Sequence, residues 1–186
     1  MGCREFFDAN VENAKLCKDL QQLPIETQVA WESESASEYS PGPVLDDERL
    51  IRYWLNPTHY DPSTGLLAPT ALNDMAGFGL SVNREKYMAL EGVLQQAQDR
   101  VENFNSNFPD KPVRSLVGFS TFSTHEIRAV MTANPQTVRR ATAVYDTAMR
   151  DDISHADICQ IASDAQGARS ARSQLRELAN CRLNKV

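Results

Sequence analysis

The sequence lacks the spacings that most readily give a function away. Its four cysteines, Cys3, Cys17, Cys159 and Cys181, include no C-x-x-C pair, so finger-type metal sites are excluded. They read as free thiols on helix faces in a reducing compartment. His155 and Cys159 stand four apart, but two ligands do not make a metal site, and no metal is expected. G-x-G-x-x-G, a Walker-type lysine loop, G-x-S-x-G and H-E-x-x-H are all absent, which removes the nucleotide, hydrolase and metalloprotease signatures that are readable by eye. No cofactor is expected. There is no apolar run of the ~18 residues that would span a membrane, and no basic start followed by an apolar signal core. A cytoplasmic protein with no membrane partner is expected. Met1-Gly2-Cys3 resembles a lipidation start, but Phe6 stands where Ser or Thr is required.

What is present is ordinary for a globular chain. The 186 residues are 41% hydrophobic and 24% charged, with a net charge of −6. That is enough apolar material for one core and its appendage. The acidity argues against nucleic acid as a partner. Charge is uneven, however. Residues 1–48 hold eleven acidic and three basic side chains, and residues 165–186 hold five basic and one acidic. The two ends can attract each other, or the basic C-terminal helix can meet an acidic partner.

The pattern predicts an α+β fold with a small, mainly antiparallel sheet, three or more helices and an N-terminal helical arm. Residues 1–31 form the arm, with one helix over 4–22. Residues 32–46 form a linker, of which 32–43, rich in Ser and Glu and ending in Pro-Gly-Pro, is expected to be exposed and mobile. Residues 47–186 form the α+β body. Strands are expected at Leu50–Leu55, Leu80–Val82, Val113–Phe119 and Thr137–Asp146. The clearest helix runs from Arg84 to Phe104, with Asn83 as its N-cap and Leu90, Val93, Leu94, Ala97, Val101 and Phe104 as its apolar stripe. Ser123 and Glu126 make a capping box for a helix to about Ala133, with His125 as a surface residue. Ser154 and Asp157 suggest another helix start, and a last helix runs from about Ala168 to Leu183.

The stretch 50–84 carries most of the candidate chemistry. Arg52 sits inside an apolar run and needs an anionic or hydrogen-bonding partner. His59 is a candidate acid or base, or a loop histidine bonded to backbone. Thr70 and Ser81 add hydroxyls, Glu91 a carboxylate, and His155 a possible anion contact near exposed amides. Arg169, Arg172 and Arg176 form one basic stripe, either a solvated face or an anion contact. Leu50-Ile51-Arg52, Asn56-Pro57-Thr58-His59, Pro69-Thr70-Ala71-Leu72, Leu80-Ser81-Val82 and Ser154-His155-Ala156 together resemble a family of uncharacterised small bacterial proteins. That resemblance implies no established activity.

Two functions are open. The first is a non-enzymatic interaction or accessory module of a bacterial multi-protein system, meeting another protein through the arm or the basic helix. The second is a binder of a nucleotide-like ligand, or a small transferase. Its outline is similar to ADP-ribosyltransferase-like folds, in which an Arg or His, a Ser or Thr and a Glu grip NAD. That similarity would assign phosphate to Arg52, ribose to Ser81 and sugar orientation to Glu91.

Overall fold

A computed structural model describes residues 1–132, 138–163 and 165–186, and bears out the α+β expectation. Six strands form one antiparallel sheet: β1 (Arg49–Asn56), β4 (Leu80–Arg84), β5 (Ser115–Ser123), β6 (Thr142–Tyr145), β7 (His155–Gln160) and β8 (Asn184–Lys185), in the order β6-β7-β4-β1-β5-β8. Between β1 and β4, β2 (Tyr60–Asp61) and β3 (Leu66–Leu67) form a separate hairpin. The helices are α1 (Cys3–Ala9), α2 (Leu16–Leu20), α3 (Ile25–Ala30), α4 (Leu90–Asn107), α5 (Thr124–Arg128) and α6 (Ala165–Cys181).

Helices cover both faces of the sheet, so its strands are apolar on both sides. Leu50, Trp54, Leu80, Val82, Val144, Ala156 and Ile158 pack with Ala171, Leu175 and Ala179 of α6. On the opposite face, Ile51, Tyr53 and Leu55 meet Val93, Ala97 and Val101 of α4. Beside them, Ala143, Tyr145, Cys159 and Ile161 meet Cys3, Phe6, Phe7, Cys17, Leu20 and Trp31 of the N-terminal segment. The arm is thus part of the body's packing. At about 25 cal/mol per Å² of apolar surface, burying two phenylalanines and a tryptophan contributes several kcal/mol to holding it there.

Two-sided burial explains the main correction. Ser154 does not start a helix: His155–Gln160 is strand β7. Its two faces are both covered, so the period-2 alternation that marks a strand is hidden. Ser154 Oγ donates to Asp152 instead of capping a helix. Asn83 is no N-cap either. Asn83 and Arg84 end β4, and α4 begins only at Leu90 after Ala89. Arg84 is held in the strand by Glu48 and by the carbonyls of Gly42 and Pro43. The expected helix over 4–22 is broken after Ala9. There Asn13 donates to the side chains of Asn10 and Asp19 and accepts from Lys15 N–H, offering the backbone an alternative to the helix.

Residues 32–43 are anchored at defined points instead of being wholly exposed. Glu32 and Ala36 are buried. Ser37 Oγ donates to Ala148 O, and Ser40 Oγ to Asp146. The capping box at Ser123 and Glu126 forms as expected. β5 runs later than foreseen, to Ser123, and β6 is confined to Thr142–Tyr145. The helix expected to reach Ala133 stops at Arg128, where Ala129 is its C-cap and Met131 instead bridges Arg140; the expected strand start at Thr137 lies outside the described residues.

Candidate functional site

One feature of the sheet organises the polar groups. β1 pairs with β4 only at Leu50 opposite Arg84 and Ile51 opposite Asn83, while β1 continues alongside β5 to Asn56. Beyond Ile51 the sheet therefore splits. Arg84 N–H bonds Ser154 O on the β7 side, so by alternation the Ser81 carbonyl faces β1. The receding strand offers it no backbone donor. Arg52 supplies one, with its Nη1 at 2.8 Å from Ser81 O. The guanidinium carbon lies 5.2 Å from the Tyr53 ring and 5.6 Å from the Trp54 ring. Those rings leave β1 on opposite faces, so Arg52 lies beside the strand, in the split. Its Nη2 is 3.5 Å from His59 Nε2. Burial, then the charges of Arg52 and Arg114, lower the His59 pKa to about 3, so the ring is neutral.

On the arm-covered face of β4 and β7 lies a cavity of about 420 Å³. The register sets its floor: Ser81 stands opposite Asp157, and Asn83 opposite His155. Ser81, His155, Asp157 and Thr147 face the cavity, and Phe7, Tyr39 and Phe78 give it an aromatic wall. Three of these groups are tied together. His155 Nδ1 lies 3.0 Å from Thr147 O and 3.0 Å from Thr147 Oγ1. A carbonyl only accepts, so Nδ1 carries the hydrogen, and in the tautomer that this fixes, Nε2 is the acceptor. Thr147 Oγ1 donates to Asp157 Oδ2 at 2.8 Å. What remains is His155 Nε2 and Asp157 Oδ1, 4.0 Å apart: two acceptors at the cavity floor, too distant to bond each other.

Gly79 permits this arrangement. Its φ is +106°, and a Cβ there would meet Asp157 Cβ at 2.9 Å. A side chain at 79 would be strained in its backbone and would push Asp157 off its position.

The anticipated residues thus divide. Ser81 and His155 share the cavity, and Arg52 and His59 meet in the split behind it, Arg52 reaching the Ser81 carbonyl. His155 reaches the site from a strand and not from a helix turn, because β7 places it there. Thr70 and Glu91 are exposed and belong to neither cluster. Glu91 is in the first turn of α4, outside the cavity lining, and the carboxylate beside Ser81 is Asp157. Of the basic stripe, Arg172 donates to Gln160 Oε1, Arg169 is exposed and Arg176 is half-buried. Asp157 and Thr147 were missed as site residues. The signal for Asp157 was its place two after His155, which puts both on one face once the segment is a strand. Among the described residues no group of three or more His, Cys, Asp or Glu could hold a metal, and no helix is long and apolar enough to cross a membrane.

Set against known proteins, the chain matches no family model, no curated protein and no solved structure.

Proposed function

We propose that the protein binds a ribose-bearing, nucleotide-like ligand in the cavity on β4 and β7. The observation that carries this reading is the acceptor pair of His155 Nε2 and Asp157 Oδ1 beneath an aromatic wall. A single donor atom about 2.8 Å from both acceptors would have its two bonds only about 90° apart across the 4.0 Å gap. That is narrower than the trigonal spread of an amino group. Two adjacent hydroxyls bridge the gap without strain, one to each acceptor. A vicinal diol attached to a planar ring is the chemistry of a ribonucleoside. The ring has Phe78 and Tyr39 to stack on, and a cavity of about 420 Å³ falls in the range of small-molecule sites. Of the earlier outline similarity to ADP-ribosyltransferase-like folds, Ser81 stays at the cavity with Asp157 replacing Glu91 as the carboxylate, while Arg52 lies outside its lining.

A thermal-shift panel of adenosine, AMP, NAD and guanosine tests the proposal. A ligand at a hundred times its Kd adds about 2.7 kcal/mol. In a chain of this length that raises Tm by about 5–10 °C. The rise is expected to be lost in Asp157→Asn. No shift with any of the panel would contradict the reading. Incubation with NAD followed by chromatography of the products separates binding from cleavage.

A protein partner is the second reading, supported by the apolar rim of the same cavity. Val11, Tyr39, Phe78 and Met149 are all exposed there. Part of the surface that first suggested such a partner is occupied within the chain: the arm is packed on the sheet and Arg172 is bonded to Gln160. Cytoplasmic residence, in a bacterium, belongs to the same proposal. Its support is that Cys3, Cys17, Cys159 and Cys181 are all unpaired thiols, as a reducing compartment keeps them.

A further inference from the structure

We infer that Arg52 and His59 form a second, buried site that holds a compact anion in the split between β1 and β4. The inference stands apart from the cavity ligand, because none of its donors lines the cavity.

Among the described residues two arginines are well buried, and their surroundings differ in one respect. Arg84, 1% exposed, is met by two carboxylates, with Glu48 at 2.7 Å and Asp146 at 3.3 Å. Arg52, 6% exposed, has no carboxylate partner among the described residues. Its one firm bond is to the neutral Ser81 carbonyl, and its Nε has no partner at all. A buried cation without a counter-charge is strongly disfavoured. Asp74 and Asp157 act on Arg52 only from a distance, and Arg100 opposes them.

His59 sharpens the case. Its Nδ1 accepts from Leu55 N–H at 3.1 Å. The neutral ring therefore carries its hydrogen on Nε2, which is the nitrogen 3.5 Å from Arg52 Nη2. Two donors confront each other with no acceptor between them. Arg52 Nε–H is unpaired as well. Arg114 lies near enough to act on His59, adding to the positive field. Buried donors gathered at one point are complementary to a small anion. Arg52 is 6% and His59 7% exposed, so these donors suit a chloride ion or one oxygen of a phosphate, not a whole nucleotide.

The test is thermal denaturation of the full chain in sodium chloride, sodium phosphate and sodium gluconate at constant ionic strength. Chloride or phosphate is expected to raise Tm saturably above gluconate, and the arm that does so names the anion. Salt effects common to all variants cancel on comparison with two substitutions. Arg52→Met removes the charge at similar length and is expected to abolish the saturable rise. His59→Asn keeps an acceptor for Leu55 N–H but loses the Nε2–H. It is expected to raise the midpoint concentration about tenfold, and it decides the matter if Arg52→Met does not fold. No difference among the three salts in the wild-type protein, or a wild-type midpoint in His59→Asn, would overturn the inference.

Discussion

Removing the Glu32 carboxylate should loosen the N-terminal arm and destabilise the whole fold. Glu32 is 6% exposed. It accepts from Arg128 Nε at 2.9 Å, from Arg140 Nη2, and from the backbone N–H of Val144 on edge strand β6 at 2.7 Å. Glu32→Ala leaves that N–H without its acceptor, at a cost of about 1–3 kcal/mol. It also strips a carboxylate from two arginines. Breaking a fully buried pair costs about 3–5 kcal/mol, but two facts reduce that figure here. The arginine side chains are 15% and 19% exposed, so water reaches them. Arg128 also keeps Asp46 and Val44 O, and Arg140 keeps Thr142 O. A loss of about 3 kcal/mol is therefore expected, or about 6–12 °C in Tm for a chain of this length. Urea denaturation of wild type, Glu32→Ala and Glu32→Gln measures it. Glutamine retains an acceptor for Val144 N–H and should lose about half as much. A loss below about 1 kcal/mol in Glu32→Ala would refute the reasoning, by showing that the arm is held by Phe6, Phe7 and Trp31 alone.

Three further outcomes are expected. The His59 pKa is lowered from 6.5 to about 3, so below pH 6.5 the unfolded chain takes up a proton that the folded one refuses. Stability should be full above pH 6.5 and fall by up to about 4 kcal/mol toward pH 3, with His59→Asn flattening that slope in urea titrations. Gly118→Ala would place a Cβ 2.0 Å from Asn184 O at a φ of +157°. β8 should come away from β5, seen as faster amide exchange at Phe119 and at Val186, whose N–H bonds Val117 O, with the rest of the sheet protected. Arg52→Ala leaves the Ser81 carbonyl without its donor and should lower stability by about 1–3 kcal/mol, read from urea midpoints.

The fold class was legible because it rests on strong local signals. The α4 stripe of Val93, Ala97 and Val101 and the capping box at Ser123 both formed where the residues placed them. β7 was not legible. Ala156, Ile158 and Ile161 suit a buried helix as well as a strand covered on both faces, and only the pairing with β4 decides between them. The site was half legible for the same reason. Ser81 and His155 were chosen by residue type, and it is the register of β4 against β7 that sets them side by side. Asp157 stayed hidden because on a helix it would have pointed away from His155. Thr147 lies in a loop, where no periodicity operates. The approach of Arg52 to His59 depends on a turn that folds His59 back over β1, with His59 N–H bonded to Leu55 O, and on a split in the sheet that no local pattern encodes.

The central claim is that the His155 and Asp157 acceptors read the two hydroxyls of a ribose. Isothermal titration of the wild-type protein with AMP and with 2′-deoxy-AMP tests it most directly. Loss of one hydrogen bond to a carboxylate is worth about tenfold or more. AMP is predicted to bind at least tenfold more tightly than its 2′-deoxy form, and that preference is predicted to vanish in Asp157→Asn. Equal binding of the two, a preference that survives in Asp157→Asn, or no binding of either would contradict it.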